Sequence, residues 1–172
     1  MLEEIIDGLT NSVVEVATGR KYVTKIRRME RAMIVALNEE GWRFDWARQL
    51  AVGDVYALLI PKAGQAIHGL MSLSREEGFI QLHLLESHPE NVGRSKKFRG
   101  VAGNLVAYAA RMAFELGFKG HVAFEAKTEL ISHYEQTLGA RRIRGTQRMY
   151  LDRAASTKLV AQYFGGSHGA DS

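Results

Sequence analysis

The chain has 172 residues, is 46% apolar and 24% charged, and carries a formal charge of +4, which suits one globular domain with a real core. It contains no cysteine, so a disulfide framework and a thiolate metal site are excluded. No apolar run approaches the ~18 residues of a membrane span, and the acidic start MLEEIIDGLTNS lacks the order of a secretion signal. A soluble cytoplasmic protein is expected.

SVVEVA (12–17) and RKYVTKI (20–26) are β-rich runs separated by Thr18-Gly19 and predict a hairpin. A helical pattern follows over about 30–51, marked by Met33, Ile34 and Leu37, then Phe44, Ala47 and Leu50, with Gly41 breaking it in two. Trp42, Phe44 and Trp46 read as packing residues or as the lining of an apolar pocket. Runs at 55–60, 66–73 and 79–85 predict an antiparallel meander with turns at 61–65 and 75–78.

A polar loop from Glu86 to Lys97 leads into a helix that ends near Leu116, stopped by Gly117. Next come a strand at 121–126, a helix at about 128–138 closed by Gly139, strands at 140–144 and 148–151, and a short helix at 155–164. The domain is expected to cover 1–164, with GGSHGADS supplying a disordered tail over 165–172. This order mixes antiparallel runs with one β-α-β crossover and predicts a mixed α+β fold, a sheet flanked by helices.

The charge is uneven. Arg94, Lys96, Lys97 and Arg99 form one basic cluster, and Arg141, Arg142, Arg144 and Arg148 another. Two such clusters suit an anion, either nucleic acid or a nucleotide phosphate, whereas either one taken alone reads as a solvated surface. The first runs into the stretch KKFRGVAGNLVAYAARMAFELG, whose apolar stripe is Val101, Leu105, Ala109, Met112, Ala113 and Leu116. Its first turn carries Gly100, Ala102 and Gly103, which have little or no side chain. A helix start exposes unpaired N–H groups and a partial positive charge, so a diphosphate could rest on the main chain beside Lys97 and Arg99. Close helix packing would explain the same glycines. The stretch lacks G-x-x-x-x-G-K-[ST] and G-x-G-x-x-G, which excludes a Walker A loop and a dinucleotide fingerprint.

These pieces together resemble the GCN5-related N-acetyltransferase (GNAT) superfamily. Its cofactor motif, [RQ]-x-x-G-x-[GA], falls on Lys97-Phe-Arg-Gly100-Val-Ala102, with lysine as a mild departure. The helix LISHYEQTLGA, Leu130 to Ala140, is similar to the family's A-x-x-[FY]-Y-x-x-x-G-F signature with one extra residue, and LLESHPEN looks like its fourth strand and following loop. The resemblance covers about 55–152; residues 1–54 fit only in the order of elements.

The resemblance implies a GNAT fold: a mostly antiparallel twisted sheet of about seven strands, opened into a V-shaped split between the fourth and fifth. It implies acetyl-CoA as cofactor. Its pantetheine arm would lie along Leu85, Glu86 and Ser87, and its diphosphate on Lys97, Arg99, Gly100, Val101, Ala102, Gly103 and Asn104. Lys127 stands where the family commonly has an asparagine that bonds the arm, and the loop 90–96 is longer than usual. Tyr134 matches the tyrosine that protonates the leaving thiolate. The glutamate often found on the fourth strand is replaced by Gln81, which leaves His83, two residues on and on the same strand face, and Glu86 as candidates for the base; His133 precedes the tyrosine. No metal is implied.

The implied function is acetyl transfer to a primary amine of unread identity. Two other readings remain at this point. One is a GNAT-shaped module that binds CoA or a partner without catalysis. The other is engagement of RNA or tRNA through the basic clusters, less favoured because the clusters lack interleaved aromatics. A homodimer is compatible with family habit, and no membrane partner is expected.

Overall fold

The computed structural model describes residues 1–6, 13–39, 41–64 and 66–165. The three meander runs are apolar on both faces and so demand cover on two sides. They become strands β4 (Asp54–Leu59), β5 (Ile67–Arg75) and β6 (Ile80–Ser87), almost continuously buried, at the centre of a seven-stranded sheet. With β3 (Lys25–Arg28), β8 (Val122–Glu125), β9 (Arg141–Arg142) and β10 (Arg148–Leu151), the sheet order is β3-β4-β5-β6-β8-β10-β9. Every neighbouring pair is antiparallel except β6 and β8, which are parallel and joined by a helical crossover. The mixed α+β architecture expected from the sequence is present.

One face of the sheet is covered by α3 (Val101–Glu115), α4 (Ile131–Leu138) and α5 (Arg153–Phe164). Gly100, at φ 88°, precedes α3 in the left-handed region that glycine enters without penalty, and this sets the sharp entry from β7 (Phe98–Arg99). Asp152 caps α5 by accepting the Ala155 N–H at 2.8 Å. The opposite face carries a smaller core around Ile34, Val55, Ala57, Leu59, Leu70 and Leu84, with Trp46. The interrupted helix over 30–51 supplies it as α1 (Arg31–Val35), a 3₁₀ turn at Ala36–Glu39 and α2 (Trp46–Gln49).

Two expectations need correction. The hairpin forms, with β1 (Val13–Glu15) against β2 (Lys21–Tyr22), but its second run divides. Residues 25 and 26 leave the expected hairpin and, with 27 and 28, pair antiparallel with β4 at the sheet edge. The hairpin instead joins β7, a strand in the stretch read as the approach to the helix, in a small second sheet of order β2-β1-β7. Of the tail expected over 165–172, only Gly165 lies within the described residues.

α3 approaches the sheet closely over β5. A Cβ on Gly69 would stand 2.6 Å from Val101 Cγ1 and 2.9 Å from Leu105 Cδ1. Gly69→Ala is therefore expected to overpack this contact and lower stability by about 1–3 kcal/mol, read as a reduced urea midpoint at unchanged m-value.

Candidate active site

β6 and β8 pair only over Ile80–Leu82 and Val122–Phe124. Beyond that point β6 runs on through His83 to Ser87, while the chain leaving β8 turns away through Ala126 and Lys127 into a 3₁₀ turn at Thr128–Leu130. Two backbone edges are thus left facing each other across a split, each with groups that require partners. Residues 1–6 fill it. Leu2 bridges Ala126 in parallel, donating its N–H to Glu125 O at 2.7 Å and accepting the Lys127 N–H at 3.0 Å. On the other edge, Met1 N donates to His83 O at 3.1 Å and a Glu4 carboxylate oxygen accepts the Ser87 N–H at 3.2 Å. Leu2 and Ile6 are 0% and 2% exposed and join the main core.

Tyr134 projects from α4 into the same place. It is fully buried, edge-on to Phe124 at 5.5 Å, and its hydroxyl donates to Glu4 O at 2.7 Å. Burial, with the Glu4 and Glu3 charges, raises its pKa above the ordinary phenol value, so the group stays protonated. Its neighbour His133 accepts the Ile6 N–H on Nε2 at 2.9 Å.

The pairing of β5 with β6 skips His83: Leu73 opposes Leu82 and Ser72 opposes Leu84. This bulge places His83 and Leu84 on one side of the sheet, the side of α1 and α2, together with Gln81 and Glu86. His83 Nε2 lies 2.7 Å from Ser74 Oγ, and Ser74 donates to Glu76 at 2.7 Å. With the hydroxyl proton committed to Glu76, His83 Nε2–H is the donor to Ser74 and Nδ1 carries the lone pair. Desolvation lowers the His83 pKa from 6.5, although Glu76 opposes the shift. Gln81 accepts from Arg148 at 2.8 Å.

Glu86 is 5% exposed, and its carboxylate accepts the Arg43 N–H at 2.6 Å, the Phe44 N–H at 3.3 Å and Trp46 Nε1–H at 2.8 Å. It anchors the loop that leads into α2. Trp46 is buried, and Trp42 and Phe44 pack against the smaller core.

The expected phosphate residues are contiguous but mostly covered. Gly100 to Asn104 are buried, and the α3 start has no side-chain cap. Asn104 accepts the Thr24 hydroxyl at 3.1 Å. A Cβ on Gly103 would stand 2.1 Å from the Tyr163 hydroxyl, so this glycine admits α5. Val101 packs on Gly69. Lys97 and Arg99 are exposed; Arg99 pairs with Val14, and Lys97 O accepts the Val16 N–H. The run 94–97 lines a groove of about 570 Å³ against residues 15–17. Leu85 points into the main core. In the second basic cluster, Arg141 pairs with Asp152 at 3.2 Å, Arg142 donates to Thr146 O, and Arg148 lies over Phe79.

No family model matches the sequence, and neither does any curated protein. Solved structures do match. A mutant AtaT toxin bound to the C-terminus of the antitoxin AtaR is 15% identical, with a TM-score of 0.55 over 81% of this chain and 98% of that one. AtaTR bound with AcCoA matches with 14% identity and a TM-score of 0.55 over 79% and 97%. AtaT complexed with acetyl-methionyl-tRNAfMet matches with 14% identity and a TM-score of 0.54 over 80% and 99%. This chain has the GNAT fold.

In GNAT-fold terms, β6 and β8 are the strands that part, and α3 and α4 carry the two motifs that the sequence displays. Sequence reasoning brought Tyr134, His83, Glu86, Ser87 and Lys127 to one neighbourhood, and the structure places them around the split. It missed the split's occupant, residues 1–6, because six residues are too few for periodicity to register. It also missed Ser74 and Glu76, although the tight turn at 76–79 places Ser74 across from the β6 start. Among the described residues no cluster of metal-ligating side chains is present, and no helix is long and apolar enough to cross a membrane.

Glu86→Ala would strand three N–H donors in a dry site. It is expected to cost about 2–4 kcal/mol and to shift indole emission to the red as Trp46 loses its buried partner, measured by urea titration followed by fluorescence.

Proposed function

We propose that this protein is an acetyl-CoA-dependent N-acetyltransferase acting on a primary amine. The observation that carries the proposal is the protonated Tyr134 hydroxyl, aimed from α4 into the split between β6 and β8 in a GNAT fold. The chemistry of the split supports the cofactor. Its edges offer main-chain donors at Ser87 and Lys127 and an acceptor at His83, and the Glu4 carboxylate, the Leu2 carbonyl and the Met1 amino group satisfy them here. A pantetheine arm is itself a chain of amides, so it meets the same demand. Ser87, His83 and Lys127 would hold the arm through their backbones. The amides of Val101 to Gly103, with Lys97 and Arg99 beside them, would hold the diphosphate. Bound acetyl-CoA supplies an activated thioester carbon and a thiolate leaving group.

The residues of the chain divide the proton work. His83, neutral and tied through Nε2 to Ser74, presents Nδ1 to take the proton that an attacking amine must shed. Tyr134 holds its proton at the hydroxyl, where it can be given to the leaving sulfur. Glu86 shapes the acceptor side by holding the 43–46 loop, and its three donors leave it ill suited to be the base. Solved neighbours of the same fold are bound with AcCoA or complexed with acetyl-methionyl-tRNAfMet, which supports the cofactor and an amine as acceptor.

Calorimetric titration with acetyl-CoA is expected to show one site, and a panel of amines is expected to release free thiol. Tyr134→Phe should lower that release by about 10²-fold or more while leaving binding in place. Binding without any release would indicate a CoA-binding module instead, and no binding would overturn the proposal.

The pH dependence has a defined sign. The lowered His83 pKa keeps the ring neutral further into acid, so protonation and loss of activity are expected below 6.5. In initial-rate profiles of thiol release this acid limb should vanish in His83→Gln, together with most of the rate.

A further inference from the structure

We infer that residues 2–6 are an intramolecular ligand of the split, a strap that must leave before a thioester cofactor can enter. The inference rests on the acetyltransferase reading and adds a competition to it.

The strap is pinned to the β8 edge by one parallel bridge at Leu2 and to the other side by individual contacts. Leu2 takes both of its main-chain hydrogen bonds from the β8 side, at Glu125 O and Lys127 N–H. Glu4 uses its side chain to reach Ser87 N–H and its carbonyl to accept from Tyr134. The Ile6 N–H donates to His133. The side chains of Leu2 and Ile6 are buried in the same core as Leu85, Phe124 and Tyr134. Glu3 pairs with Arg43, whose own N–H is held by Glu86, so the strap is tied to the acceptor-side loop as well.

The groups proposed to hold the arm and to meet its sulfur are therefore already engaged, while those proposed for the diphosphate are not touched by the strap. The Ser87 and Lys127 N–H groups and the Tyr134 hydroxyl all bond residues 2–4. A backbone N–H cannot make two good linear hydrogen bonds at once, and the volume that Leu2 fills beside Ala126 cannot hold a second chain. Strap docking and cofactor binding exclude each other. The apparent affinity for the cofactor is then the intrinsic affinity reduced by the fraction of molecules with the strap released.

Because the chain has no cysteine, the strap can be locked reversibly. Leu2 and Ala126 are direct bridge partners, so the double variant Leu2→Cys with Ala126→Cys can close one disulfide. The full chain is titrated with CoA by calorimetry, oxidised and then reduced. Oxidation is expected to weaken CoA binding at least tenfold, and reduction to restore it. In the unmodified protein, cleavage after Glu3 or Glu4 by a glutamate-specific protease is expected to accelerate at least fivefold when CoA is added. This second measurement needs no substitution in the core. Equal CoA affinity in both redox states, or strap cleavage indifferent to CoA, would overturn the strap and leave the acetyltransferase reading standing. An unmodified protein that binds no CoA would overturn both.

Discussion

Backbone hydrogen bonding across the parting of β6 and β8 is the constraint on which the rest of this molecule turns. A parallel pair that separates after three residues exposes N–H and C=O groups in the middle of a sheet, where water is scarce and an unpaired group is costly. Something that offers donors and acceptors to both edges must lie there. Residues 1–6 meet that demand, and Leu2 and Ile6 extend the core into the gap. A cofactor with an amide-bearing arm would meet the same demand by the same chemistry. The candidate site is thus defined by the hydrogen bonds its two edges demand more than by any single side chain.

A second tension concerns side chains whose chemistry suggests catalysis but whose partners suggest architecture. Glu86 lies on the split strand, yet its oxygens are engaged by three N–H groups of the 43–46 segment. His83 reaches its position through a bulge that turns two successive residues to one side, and Ser74 with Glu76 then sets which ring nitrogen stays free. The carboxylate secures the 43–46 segment, and the imidazole is left as the titratable group. Tyr134 is the converse case, a phenol whose burial keeps its proton in place.

The small residues at the start of α3 serve packing in the arrangement seen. Gly103 makes room for Tyr163, Val101 sits against Gly69, and the β1–β2 hairpin approaches through Thr24 and Tyr22. Close approach of backbone to backbone and close approach of backbone to phosphate require the same residue types. The phosphate contact we propose would share the α3 start with this packing, because both exploit a helix end without Cβ obstruction.

Much of the sheet was legible in advance. The runs at 54–59, 67–75 and 80–87 are long, apolar and bounded by turn residues, and α3 has a continuous stripe that ends at Gly117, so local pattern determined where these elements lie. Short motifs around Gly100 and Tyr134 likewise determined the GNAT resemblance and pointed to the candidate site. Only the tertiary structure decided that 25–28 would leave its hairpin for the sheet edge, that Ser74 would meet His83, and that residues 1–6 would enter the split. Periodicity reports how a segment orients toward a core. It carries no information about which distant backbone edge lacks a partner, and that deficit is what recruited the strap.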